Sequence, residues 1–175
     1  MILGICGHIG SGKSEALKVL RACGWFTVDA DEIVHKLYEP GGAGQRKIAD
    51  FFGEEFLKKD GSVNRPKLRK VVFGDLKKLK ILNVLIHPLV FNEIGKILDK
   101  VGSGDVAIEA AYFESKYLGK LIDKLLLIDR PVDRSGRDVL DFGHLPKVYD
   151  AKILNNSTLK EFKEKVIIEV EKLTS

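Results

Sequence analysis

The chain has 175 residues, of which 45% are hydrophobic and 31% charged, with a formal net charge of +4 at pH 7. This length suits one domain with an insertion, and the composition excludes a disordered or fibrous protein. No apolar run reaches the ~18 residues of a membrane-spanning helix, and the N-terminus lacks the basic region of a signal peptide. Because Cys6 and Cys23 are too few for a disulfide framework, we expect a cytoplasmic protein.

The first thirty residues predict a strand, a helix and a second strand. Met1 to Cys6 is a short apolar run typical of a buried strand, and a helix is predicted from about Lys13 to Cys23. Gly24 would end that helix, and a second strand would follow and end at Asp29. This βαβ order indicates a parallel sheet.

The loop between the first strand and the first helix is rich in glycine. Residues 7–14 read GHIGSGKS and fit the pattern G-x-x-x-x-G-K-[ST] in the strand–helix context that this pattern requires. Glycines let backbone N–H groups surround phosphate oxygens, and the helix N-terminus adds a partial positive charge. Lys13 can reach the β- and γ-phosphates of a nucleotide, and the Ser14 hydroxyl can bind Mg²⁺. The sequence therefore predicts ATP binding with Mg²⁺ at Gly10, Ser11, Gly12, Lys13, Ser14 and Glu15.

The middle of the chain is predicted to be helical and basic. Helical spacing runs from Asp31 to Leu37, from Arg46 to Phe52 and from Pro66 onward, and a longer pattern from Asp75 to Leu98 is interrupted at Pro88. Residues 33–103 carry fourteen basic and eight acidic side chains. We interpret this excess as either a solvated surface or a docking face for an anionic substrate. Aromatic side chains are not interleaved with the charges, so we expect no nucleic-acid partner.

The last third predicts a return to the sheet. Short apolar runs at 106–108, 125–128 and 152–154 are typical of strands buried on both faces. A final helix is expected from Thr158, with Glu161 placed for a capping box and with an apolar face that would include Leu159, Phe162 and Ile167. We thus predict an α/β fold with about five parallel strands flanked by helices. Its core would be 1–32 and 104–175, and residues 33–103 would form a helical insertion.

Charged residues follow the carboxyl ends of the predicted strands, where open parallel sheets bind ligands. Asp29 and Asp31 could act on an incoming hydroxyl or hold a metal-bound water, and both are also good helix caps. Glu109 could meet Mg²⁺ or a second substrate. Arg134 and Arg137 could close over a transferring phosphoryl group, or belong to a solvated loop.

The order of these motifs over residues 1–90 resembles dephospho-coenzyme A kinases. Short matching segments follow the glycine-rich loop in the family's order. They are Val28–Asp31 with His35, Leu37–Gly41, Phe52-Gly53, Asp60–Ser62, Arg65, Leu68-Arg69, Val72-Phe73, Leu82-Asn83 and His87–Val90. Asn155 resembles the family's late loop near adenine.

The resemblance implies a P-loop kinase fold that transfers the γ-phosphoryl group of ATP to the 3′-hydroxyl of dephospho-coenzyme A. It implies that Asp31 is the general base and that a short lid at about 130–150 supplies arginines. It also implies that the helical insertion binds the acceptor. The candidate acceptor-binding side chains are His35, Arg65, Arg69 and His87 in the insertion, and Asp29 and Glu109 in the core. The expected partners are ATP and dephospho-coenzyme A, and the expected state is a monomer or weak homo-oligomer.

The chain departs from the family pattern at several places. His8 and Glu15 replace residues that are usually glycine and threonine, and Ala110-Ala111-Tyr112 replaces a proline-leucine-leucine segment. The lid is compressed into the segment from Asp129 to Asp150. Two alternatives therefore stay open: a kinase for another small acceptor, and a nucleotide-binding protein that has lost phosphotransfer.

Overall fold

A computed structural model describes residues 1–110, 117–131 and 146–175. Its strands are β1 (Ile2–Cys6), β2 (Phe26–Asp29), β3 (Val106–Glu109), β4 (Lys124–Asp129) and β5 (Ala151–Leu154). Its helices are α1 (Lys13–Ala22), α2 (Ala30–Leu37), α3 (Ala43–Phe52), α4 (Arg65–Phe73), α5 (Leu76–Val101) and α6 (Leu159–Thr174). Short 3₁₀ turns occupy Glu54–Phe56 and Leu118–Lys120.

The described residues form two compact units. One comprises Met1–Asp29 and Leu98–Ser175, and the other comprises Ala30–Ile97. The division proposed from the sequence placed the corresponding boundaries at residues 32 and 104.

The first unit contains a parallel five-stranded sheet in the order β2-β3-β1-β4-β5. This confirms the predicted α/β fold. The strands are short apolar runs, and β3 is buried along its whole length, as expected for a strand covered on both faces. Alternate strand residues such as Leu3, Ile5 and Ile128 pack with Leu20 of α1 and Phe162 of α6 in one apolar cluster. The sheet therefore brings all five carboxyl ends to one edge.

Helix α6 begins as the sequence predicts, but fewer of its apolar residues are buried than the predicted apolar face contains. Thr158 accepts from the Glu161 N–H, and the Glu161 carboxylate accepts from the Thr158 N–H, which forms a capping box. Phe162, Val166 and Val170 are buried, at the four-residue spacing of one helix face. Leu159 and Ile167 were expected on this face and are instead 58% and 36% exposed, because each follows a position of that row by one residue and so lies about 100° around the helix from it.

The second unit contains α2, α3, α4 and most of α5. Asp60-Gly61 forms the predicted turn, in which Asp60 accepts from the Ser62 N–H and hydroxyl. Helix α3 starts at Ala43, three residues before the predicted start, because Gly42 can act as its N-cap. Pro66 lies in the first turn of α4, where its missing N–H costs nothing.

Helix α5 corrects two expectations. It runs through Pro88 without a break, because the buried residues Ile86, Val90 and Ile94 continue one packed face across the proline. It also contains an 18-residue window with a mean hydropathy of 1.4, long and apolar enough to cross a membrane by length and composition alone. The expectation that no segment reaches these values is wrong, although core helices of soluble proteins reach them too.

Candidate nucleotide-binding site

The loop of residues 7–14 joins β1 to α1 at the carboxyl edge of the sheet. Glycine is required where the loop leaves β1, because Gly7 has φ +152° and a Cβ there would lie 2.1 Å from the Ile128 carbonyl oxygen. It is required again at Gly12, which has φ +111° and caps α1. A side chain at Gly12 would meet the Asn155 amide at 2.6 Å and the Phe162 ring at 3.2 Å. The loop therefore fits closely between the ends of β4, β5 and α6.

Lys13 and Ser14 converge on a carboxylate from a neighbouring strand. Glu109 ends β3, is only 8% exposed, and pairs in register with Ile5 of β1. The Lys13 ammonium lies 3.9 Å from Glu109 Oε1, and the Ser14 hydroxyl donates to the same oxygen at 3.3 Å. Lys13 also donates to the His8 carbonyl at 3.1 Å. The site thus combines a buried carboxylate, a hydroxyl and a mostly buried ammonium group at the start of α1.

Ser11, within the loop itself, is also a buried polar residue. Its side chain is 1% exposed, and among the described residues its hydroxyl has no hydrogen-bond partner. A buried hydroxyl without a partner is costly, so such a group inside a phosphate-binding loop is suited to meet a ligand oxygen.

Asp29 ends β2 and stands beside Glu109 in the strand register. Two predicted site carboxylates therefore share one edge of the sheet. Asp31 follows two residues later, in the first turn of α2, where its negative charge favours the helix N-terminus.

Glu15 makes a contact that no local sequence pattern predicts. Its carboxylate pairs with Lys163 of α6 at 3.1 Å and with Lys18 at 3.3 Å. The hydrogen bond from Lys163, followed by that from Lys18, lowers the pKa of Glu15 below its ordinary value. This side chain links α1 to α6, and the backbone N–H of residue 15 remains in the first turn of α1, where it donates to the Gly12 carbonyl at 3.1 Å.

Asn155 immediately follows β5, and its side chain lies against the loop. The amide nitrogen donates to the Ser11 carbonyl at 2.7 Å, and the backbone N–H donates to the Asp129 carbonyl at 2.7 Å. Asp129, at the end of β4, forms an ion pair with Lys152 at 2.8 Å, which lowers the pKa of the Asp129 carboxyl. The residues that sequence reasoning missed here are Lys152, Lys163 and Phe162. Their partners are far away in the chain, so no local pattern could reveal them.

The second unit brings together some of the predicted acceptor residues. Arg65 in α4 contacts His35 in α2 through its guanidinium group. Tyr38 is buried near them, and burial raises the pKa of its hydroxyl to about 12 although Arg65 opposes this shift. Arg69, one turn beyond Arg65, lies over the Phe73 ring at 4.8 Å. His87 is half-buried in α5.

Arg134 and Arg137 lie outside the described residues, as does most of the predicted lid. Their roles stay sequence-based predictions. Arg130, just after β4, is the nearest described arginine in sequence.

The comparisons with known proteins agree on one family. The sequence profile of the dephospho-CoA kinases matches residues 1–141. The dephospho-CoA kinase of Carboxydothermus hydrogenoformans is 39% identical over 105 residues, which is 60% of this chain and 51% of that protein. The enzyme of the same name from Dehalococcoides mccartyi is 39% identical over 133 residues, or 74% and 67% of the two chains. These alignments thus span about half to two thirds of the curated relatives.

The fold has solved counterparts. The structure of a dephospho-CoA kinase from Campylobacter jejuni aligns with a TM-score of 0.66 at 21% identity, covering 98% of this chain and 96% of the other. At that identity the likeness establishes the fold. The shikimate kinase of Aquifex aeolicus aligns with a TM-score of 0.50 at 16% identity. The architecture is therefore that of the P-loop kinases.

Proposed function

Because the chain belongs to the dephospho-CoA kinase family, we propose that it transfers the γ-phosphoryl group of ATP to the 3′-hydroxyl of dephospho-coenzyme A, the last step of coenzyme A synthesis. The observation that carries this proposal is the convergence of Lys13 and Ser14 on Glu109 at the carboxyl edge of the sheet. A phosphate-binding loop beside a buried carboxylate provides the cation and the oxygen ligands that phosphoryl transfer requires.

The glycine-rich loop would bind the phosphates of ATP. Its N–H groups and the N-terminus of α1 favour an anion, and Lys13 supplies a full positive charge for the β- and γ-phosphates. As charge builds on the leaving oxygens in the transition state, this ammonium group would stabilise it more strongly than it stabilises the ground state.

Kinases of this family use a divalent metal with ATP, and we propose Mg²⁺ here. The residues present fit this ion, because the Ser14 hydroxyl and the Glu109 carboxylate are oxygen ligands 3.3 Å apart. When bound, the metal neutralises charge on the β- and γ-phosphates. The sequence left two roles open for Glu109, beside Mg²⁺ or at the acceptor, and its contacts with Lys13 and Ser14 favour the role beside the metal.

The second unit would bind the acceptor. Residues 33–103 carry the positive excess of the chain, and the acceptor we propose is rich in phosphate. His35, Arg65 and Arg69 are the donors we assign to it, together with His87. Arg65 and Arg69 lie one helical turn apart and so share one side of α4.

We propose Asp31 as the general base for the 3′-hydroxyl and Asp29 as a residue that orients the acceptor. A carboxylate within hydrogen-bond distance of the hydroxyl could accept its proton as the phosphoryl group is transferred. Arg137 is our choice for the arginine that stabilises the transferring group, with Arg134 as its neighbour; both choices rest on the sequence. We also propose that the protein acts in the cytoplasm and without nucleic acid.

The decisive experiment is a coupled assay of ADP release with and without dephospho-coenzyme A. We expect release to require this acceptor. Coenzyme A is a matched control, since its 3′-position is already phosphorylated and it should give no turnover. Equal release without any acceptor would favour a nucleotide switch, and release only with a nucleoside or another hydroxyl compound would favour a different kinase. Either result would overturn the proposed acceptor.

A further inference from the structure

The side chain of Asn155 donates a hydrogen bond to the backbone of the phosphate-binding loop, residues 7–14. A loop that turns its N–H groups toward an anion turns its carbonyl groups the other way, and each buried carbonyl then needs a donor elsewhere. The Ser11 carbonyl finds its donor in the Asn155 amide, at 2.7 Å. The two residues are 144 positions apart in the chain.

Asn155 is itself firmly held. Its backbone N–H donates to the Asp129 carbonyl at 2.7 Å, which continues the pairing of β5 with β4. The turn after it is fixed by Lys165, whose ammonium donates to the Ser157 hydroxyl at 3.2 Å and to the Leu154 carbonyl at 3.4 Å. The capping box of α6 begins at Thr158. The backbone that carries the Asn155 amide is therefore held by hydrogen bonds on both sides of residue 155.

Asn155 also packs closely against the loop at Gly12. A Cβ on Gly12 would come within 2.6 Å of the Asn155 amide nitrogen and within 3.2 Å of the Phe162 ring. Ser11 is 1% exposed. Asn155 therefore contacts the loop closely at both Ser11 and Gly12, and loss of its amide would leave the Ser11 carbonyl without this donor.

We propose that Asn155 is a positioning residue that holds the phosphate loop in the form that binds nucleotide phosphates, by donating its side-chain amide to the Ser11 carbonyl. The inference rests on the proposed function only in treating residues 7–14 as a nucleotide site. It differs from the role near adenine that the resemblance implies, because the contact is with the loop backbone. The family match ends at residue 141, before Asn155.

Calorimetric binding of Mg²⁺–ADP without acceptor tests this proposal apart from catalysis. Asn155→Ala should weaken ADP binding by about tenfold, because the Ser11 carbonyl loses its donor. Asn155→Asp should weaken it more at pH 8, since a carboxylate would face a carbonyl oxygen and repel the phosphates. Asn156→Asp is the matched control: the same change of charge at the exposed next residue, whose side chain contacts Lys165. It should leave binding close to that of the parent.

The pH dependence separates a donor from a packing role. The Asn155→Asp carboxyl would face a carbonyl oxygen and bound phosphates, both of which raise its pKa above the ordinary value near 4. Lowering the pH from about 8 to about 5 therefore protonates a growing fraction of this side chain, which can then donate again. The ratio of variant to parent affinity should therefore recover for Asn155→Asp and stay constant for Asn155→Ala. A constant ratio for both variants, or equal losses in Asn155→Asp and Asn156→Asp, would overturn the proposal.

One measurement needs no variant. In a ¹⁵N-edited NMR spectrum of the unmodified protein, one Asn155 side-chain proton should exchange slowly with solvent. Fast exchange of both protons would contradict the bond to Ser11.

If ADP binds as expected but dephospho-coenzyme A is not phosphorylated, the proposed function fails while this inference stands.

Discussion

Among single residues, Lys13 has the clearest chemical role, because its ammonium group lies within 3.1 Å of the loop carbonyl of His8 and 3.9 Å of Glu109. We expect Lys13→Ala to lower turnover by about 10²-fold or more, since a preorganised donor to the developing charge is lost. The fold should persist, as measured by circular dichroism. Lys18→Ala on the exposed side of the same helix is the control and should retain the parent rate. A Lys13→Ala enzyme with near-normal turnover would remove this residue from the mechanism.

The two aspartates after β2 can be separated by isosteric changes. Asp31→Asn should lower kcat by about 10²- to 10⁴-fold, the usual range for a general base, with little change in ATP affinity. Asp29→Asn should act mainly on the KM for the acceptor. Steady-state kinetics with both substrates varied would distinguish them. The opposite pattern, with the larger kcat loss at Asp29, would exchange the two roles.

The two cysteines should differ sharply in reactivity. Cys6 lies in β1 and donates to the Leu126 carbonyl at 3.7 Å, and burial raises the pKa of its thiol to about 12. Cys23, after α1, is exposed. Since the thiolate is the reactive form, iodoacetamide at pH 8 should label Cys23 alone in the native protein and both residues in urea. Peptide mapping by mass spectrometry would reveal native labelling of Cys6, which would contradict its burial.

At the scale of elements, the start of α6 supports both the helix and the turn that carries Asn155. Thr158→Ala removes the side-chain acceptor for the Glu161 N–H, and we expect the free energy of unfolding to fall by about 1 kcal/mol. Lys160→Ala, at an exposed position in the first turn of the same helix, is the control and should change stability by less than about 0.5 kcal/mol. Urea denaturation of both variants measures the difference. Equal effects would mean that the capping box contributes nothing.

The sequence revealed elements better than contacts. Local patterns located the five strands and six helices of the described residues to within a few positions, because such patterns depend on neighbouring residues alone. Pro88 misled the helix prediction, since the packing of Ile86 and Val90 outweighs the missing N–H. The glycine-rich loop was predictable as a motif, whereas the bond between Ser14 and Glu109 joins residues 95 positions apart.

Across the whole molecule, several carboxylates are bonded in ways that link stability to pH. The ion pair with Lys152 lowers the pKa of Asp129, and the Leu125 N–H, with a smaller effect from Lys124, lowers that of Asp150. The folded protein therefore binds these protons less readily than the unfolded chain. Their contribution is complete above the ordinary carboxyl range near pH 4 and is lost as the pH falls through the lowered values.

The urea concentration at the unfolding midpoint should consequently decrease as the pH is lowered from 7 to 3. Asp129→Asn should reduce that fall, because one of the linked groups no longer titrates. Asp99→Asn, at an exposed position of α5, should leave the difference between the two pH values unchanged. An identical fall in the parent and Asp129→Asn would show that this ion pair contributes no pH-dependent stability.

The position of β1 in the sheet has a consequence for synthesis on the ribosome. β1 is the central strand, but its neighbours begin only at Val106 and Lys124. β1 thus remains without these two partners while the whole of Ala30–Ile97 is translated. In a chain interrupted before residue 106, the apolar strand β1 lacks both of its partner strands. Such a segment is prone to aggregate and is a target for chaperones. During synthesis β1 therefore stays unpaired until the strands that begin at Val106 and Lys124 have been made.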